Sequence, residues 1–118
     1  MEKLFCYVIR SAASILAGAT DSQTISIAND HDFILKEIRT SGTNNVRASL
    51  ANANGEQWSN QSINMGFVGT GFNGLRLMDR DYVLPANTQI QALFDNQTGA
   101  GITAAQEIQL WGFKIPKQ

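Results

Sequence analysis

Apolar and polar residues alternate with a period of two along most of this chain. Thr24 to Ala28 alternates strictly, and Thr88 to Phe94 places Ile90, Ala92 and Phe94 on one face. Val46 to Leu50 sets its apolar residues against Arg47 and Ser49. In Gln106 to Ile115, Ile108 and Leu110 fall on one side and Trp111, Phe113 and Ile115 on the other. Successive side chains of an extended chain point to opposite faces, so this period predicts half-buried strands. Phe5 to Ile9, rich in aromatic and β-branched residues, reads as a first strand. Phe33 to Thr40 reads as a longer one that starts buried on both faces.

Breaks fall between these runs. Ala17 to Ser22, Asn29 to Asp32, Ser41 to Asn45, Pro85 to Asn87 and Asn96 to Gly101 are rich in Gly, Asn, Asp and Ser, the residues that turns favour. Asn54-Gly55 suits a tight hairpin, with a short return strand around Trp58. Ile63 to Gly74 is glycine-rich and predicts one short strand near Ile63 to Met65 followed by a long loop. Arg76 to Met78 and Tyr82 to Leu84 flank the charged turn Asp79-Arg80-Asp81. Ser11 to Ala19 is the one helical candidate, and it is short and interrupted by Ile15. About eight strands at roughly 8–12-residue spacing predict an all-β, single-domain antiparallel sandwich of jelly-roll type.

Composition narrows the partners. Of 118 residues, ten are Asn, nine Gln, eight Ser and eight Thr, whereas only 16% are charged. The surface is therefore wetted by amides and hydroxyls. Nine cations against ten acids give a net charge of −1, and the cations are scattered rather than clustered. That argues against nucleic-acid binding and a polybasic membrane mode. No apolar run approaches the roughly 20 residues that span a bilayer. The first residues carry no basic leader and apolar core, so no export signal is expected and synthesis in the cytoplasm is. A single cysteine, Cys6, excludes an internal disulfide and is expected as a buried structural thiol.

Candidate chemistry is sparse. Gly69 to Gly74 matches G-x-G-x-x-G literally, but a strand pattern follows it where dinucleotide binding needs a helix N-terminus, so a surface loop is expected. Asp30-His31-Asp32 sets one imidazole between two acids. Adjacent extended residues alternate faces, no second His exists, and a turn whose Asp side chains bond the local backbone is expected instead of a metal site. Asp79-Arg80-Asp81, with Arg76 and Glu56, is expected as a local ion-pair turn or an intersubunit salt bridge rather than a calcium loop. Trp111 lies among apolar residues and is expected in the core or an interface. Trp58, among Gln57, Ser59, Asn60 and Gln61, is the better candidate for contact with a sugar or a protein. The predicted contact residues are Trp58, Phe67, Phe72, Arg76 and Arg80; no catalytic, cofactor or metal residue is assigned.

Leu16 to Asp21 leading into Thr24 to Ile27, Gln57 to Asn60, Tyr82 to Asn87 running into Ile90 to Ala92, Asp95 to Gly99, and the closing Ile108 to Lys114 together resemble small structural proteins of bacteriophage virions. These are capsid decoration, minor capsid and head-associated β-sandwich proteins. The resemblance implies a non-enzymatic virion component that forms a homo-oligomer, with a trimer favoured, and binds the major capsid or other virion proteins. It transfers no active site. Two alternatives stand beside it: a carbohydrate- or receptor-binding module of a fibre or spike, and a small cupin-like enzyme. The last is weakened by the single histidine.

Overall fold

The computed structural model describes residues 3–43, 45–52, 63–65, 73–76 and 82–117. Nine strands lie within them: β1 (Lys3–Arg10), β2 (Thr20–Ser26), β3 (His31–Ser41), β4 (Val46–Asn52), β5 (Ile63–Asn64), β6 (Asn73–Arg76), β7 (Tyr82–Leu84), β8 (Gln89–Asn96) and β9 (Glu107–Pro116). They form two antiparallel sheets. One runs β1-β9-β3, with β6 and β7 both paired to the far edge of β3, and the other runs β2-β8-β4-β5.

The pairing is nested. β4 pairs with β5, β3 with β6 and β7, β2 with β8, and β1 with β9. The chain is thus one long antiparallel ribbon, rolled so that successive pairs fall in alternate sheets, which is a jelly roll. Because β6 and β7 share one lane, the nine segments occupy eight strand positions, the number expected from the periodicity.

Several boundaries move. β2 starts at Thr20, inside the predicted turn, because only Ala17 and Gly18 are needed to reverse the chain and Gly18 takes φ 73°. β3 starts at His31, inside the predicted polar break, because pairing with the end of β9 extends the strand. The hairpin at Asn54-Gly55 and the strand around Trp58 lie outside the described residues.

The core is built from the inward faces of both sheets. Ile9, Phe33, Leu35, Ile38, Leu84, Ile108 and Leu110 meet Val46, Ala48, Leu50, Ile90, Ala92 and Phe94, and Ile15, Met65 and Ile102 close the ends. Two fully buried amides organise the loops. Asn96 Nδ2 donates to the carbonyls of Ile15 (2.9 Å) and Ala100 (2.8 Å), while its Oδ1 accepts from Thr98 N (3.0 Å) and Oγ1 (2.7 Å). Gln106 Oε1 accepts from Thr43 N (2.6 Å), and its Nε2 donates to Ala104 O (2.9 Å). With their partners supplied, these groups are buried without the cost of a lost hydrogen bond.

One irregularity shapes the outer surface. The β3–β9 register shifts between Leu35, opposite Gly112, and Glu37, opposite Trp111. Lys36 is the extra residue of a β-bulge. Phe33 and Leu35 face inward before it and Ile38 and Thr40 after it, so Ile34, Glu37 and Arg39 point outward.

Candidate functional site

The outer face of the β1-β9-β3 sheet carries a groove of about 360 Å³, lined by Leu4, Lys36, Glu37, Arg39, Trp111, Gly112 and Phe113. Register explains the assembly. Cys6, Trp111 and Glu37 stand in one row across three strands, and Leu4, Phe113 and Ile34 in the next. Gly112 lies beneath the groove on the inward side of β9, opposite Leu35. A Cβ there would meet Ile34 O at 1.8 Å, so β3 passes close to β9 only because residue 112 has no side chain.

The Trp111 indole is held along β9 by its same-face neighbours. Trp111 Nε1–H donates to Gln109 Oε1 (2.8 Å), Gln109 Nε2 donates to Glu107 Oε2 (2.8 Å), and Glu107 Oε1 accepts from Arg10 Nη2 (2.6 Å). Arg10 holds the Glu107 carboxyl below the usual carboxylate range, so Glu107 stays ionised as an anchor for this chain. On the other flank, the Arg39 guanidinium stands 5.8 Å from the indole centroid and its Nε donates to Glu37 Oε1. The groove therefore presents an oriented aromatic ring next to a carboxylate, a guanidinium and an amide.

Of the two places expected for Trp111, core or interface, the core is corrected: the side chain faces outward and is half-buried, since its strand neighbours Ile108 and Leu110 take the inward positions. Cys6 is half-buried on that same outer face rather than buried, and partial burial raises its thiol pKa. Of the predicted contact residues, Trp58, Phe67, Phe72 and Arg80 lie outside the described residues. Arg76 ends β6 directly opposite Glu37, one strand from the groove wall.

Asp30-His31-Asp32 follows expectation in part: Asn29 and Asp30 form a turn and the Asp30 carboxylate bonds its own backbone N–H, whereas the remaining bonds are not to the local backbone. Asp30 Oδ1 accepts from His31 Nδ1 (2.6 Å), and the buried imidazole reaches Tyr7 Oη through Nε2 (2.5 Å), with Ala28 N–H donating to the same phenol (3.3 Å). The His31 bond lowers the Asp30 pKa. Asp32 Oδ1 instead accepts from the remote Ala86 N–H (2.9 Å), which lowers its pKa, and lies 3.5 Å from Lys117 Nζ. Extension of β3 back to His31 places Asp32 in the ladder opposite Ile115, beyond the turn. Among the described residues no group of three His, Cys, Asp or Glu is placed to hold a metal.

The groove residues Leu4, Lys36, Glu37, Arg39 and Phe113 were not singled out by the sequence. Two signals pointed to them: the parity switch from Leu35 to Ile38, and the polar companions Glu107 and Gln109 that share a face with Trp111.

No known protein family matches the chain, and no curated protein matches its sequence. Among solved structures it is similar to a Podospora anserina GH26-CBM35 beta-(1,4)-mannanase, with TM-score 0.42 and 15% identity, covering 96% of this chain and 28% of the mannanase. It is also similar to a family 35 carbohydrate binding module from an environmental isolate, with TM-score 0.40 and 21% identity, covering 86% of this chain and 72% of that module.

Proposed function

We propose that this jelly roll is a non-enzymatic binding module that holds a carbohydrate in the groove beside Trp111. The observation that carries the reading is the oriented indole with Glu37, Arg39 and Gln109 around it. A sugar ring offers a C–H face that packs on an aromatic plane, and paired hydroxyls that exchange hydrogen bonds with carboxylate, guanidinium and amide groups. A glycan array followed by calorimetry on the best binder tests it. Trp111→Ala is expected to weaken binding about tenfold or more, equal to roughly 1.4 kcal/mol. No glycan binding by the wild type, or unchanged affinity in Trp111→Ala, refutes it.

A second reading, a capsid decoration or minor capsid protein of a bacteriophage, is favoured by the apolar outer face of the same sheet. Leu4 is 65% exposed, Val83 50% and Val8 41%, where the outer face of an antiparallel sheet is ordinarily polar. The other sheet is closer to that norm, with Thr20, Ser22, Thr24, Gln89 and Gln91 exposed beside a single exposed Leu93 among the described residues. Mass spectrometry of purified particles from the source of the gene tests this reading. Absence of the protein from those particles refutes it.

A further inference from the structure

We propose that the protein forms a two-fold dimer by antiparallel pairing of β1 with β1 of a second copy, centred on Cys6, so that two sheets join into one. This rests on the edge of β1 and not on the occupant of the groove. β1 pairs with β9 along one side, and no strand pairs with its other side among the described residues. Edge strands are ordinarily guarded by charge, proline or a bulge. Between Lys3 and Arg10 this strand has none of these, since Leu4-Phe5-Cys6-Tyr7-Val8-Ile9 is wholly uncharged. Its eight residues offer an edge of roughly 26 Å at about 3.3 Å per residue.

The residue order selects a second copy of the same strand. In a pairing centred on Cys6, Leu4 faces Val8 on the outer side, Phe5 faces Tyr7 on the inner side, and Cys6 faces its own twin. These three kinds of pair are apolar or aromatic throughout, Lys3 falls opposite Ile9 at the end of the ladder, and every contact but the Cys6 pair on the axis occurs twice, as a two-fold interface requires. Phe5 and Tyr7 already meet edge to face within one chain, at 4.9 Å between centroids. Centring between Cys6 and Tyr7 would set Lys3 against Arg10 and turn the two cores to opposite sides of the joined sheet. Centring on Cys6 avoids the like charges and keeps both cores on one side. A two-fold contact closes at two subunits, so the assembly is a dimer where the virion resemblance favoured a trimer.

Sedimentation velocity of the intact chain is expected to give twice the 12.9 kDa monomer mass. Val8→Lys places a charge on the outer side of the edge and is expected to weaken the dimer at least about tenfold. Leu93→Lys, equally exposed at 41% on the other sheet, is expected to leave it unchanged. A short bis-maleimide is expected to link the wild-type chains through Cys6, and this holds even if Val8→Lys does not fold. A wild-type monomer, a trimer, or a dimer that neither cross-links at Cys6 nor responds to Val8→Lys overturns the proposal.

Discussion

Gly112→Ala is the most demanding test of how β3 and β9 shape the groove. The new Cβ would sit 1.8 Å from Ile34 O and 3.0 Å from Phe33 Cζ. A carbon and a carbonyl oxygen rest no closer than about 3.3 Å, so β3 must move by roughly 1.5 Å beside the bulge. Overpacking of this kind costs about 1–3 kcal/mol, and a strained ladder bond adds about 1. The smaller unfolded-state entropy of alanine returns only about 0.4–1 kcal/mol. The net loss lies between about 1 and 3.6 kcal/mol, with about 2–3 kcal/mol in the middle of that range. For 118 residues at about 2.1 cal/mol/K each, that is a fall in Tm of roughly 8–12 °C. Thermal and urea denaturation measure it, with Gly101→Ala as control, since a Cβ there meets nothing closer than 3.9 Å. Affinity for any groove ligand is expected to fall together with stability. A Gly112→Ala protein as stable as the wild type would show that β3 does not approach β9 this closely, and would refute the account of the groove floor.

Asn96→Ala is expected to cost about 2–4 kcal/mol in urea denaturation, because it strips buried carbonyls of their donor. Asn96→Asp is expected to cost more, since a carboxylate would face the same carbonyls. Deletion of Lys36 is expected to leave the fold intact by circular dichroism: the β3–β9 register steps over this residue, and its removal joins the Leu35–Gly112 and Glu37–Trp111 pairs into a regular ladder. Deletion of Arg39, a paired residue, would flip every following side chain and is expected to abolish folding. Stability is expected to fall on acidification. Asp32 and Glu107 are held below their ordinary values of 3.8 and 4.5. The unfolded chain therefore takes up protons first, and their contribution, full above those values, is lost as the pH drops through the lower folded ones. Asp32→Asn is expected to flatten the acid limb of a stability–pH curve, and an unchanged curve would remove Asp32 from the account.

The period-two pattern by itself determined most of the strands, though not the start of β6 at Asn73 inside the expected loop, together with the inward faces of β4 and β8 and the jelly-roll class. These depend on local alternation and on turn residues, and both are written in neighbouring positions. Even the bulge left a trace, since inward apolar residues shift from odd to even numbers between Leu35 and Ile38. Only the tertiary structure decided which strand lies beside which, and thereby what chemistry comes together. Glu37 and Trp111 are opposite each other because the rolling of the ribbon brings β9 alongside β3. His31 bonds Tyr7 across 24 positions for the same kind of reason. Trp111 illustrates the limit. A tryptophan among Leu110, Gly112 and Phe113 reads as core, and its outward place follows from parity, from the Gln109 amide that holds it, and from a glycine that lets a neighbouring strand come close.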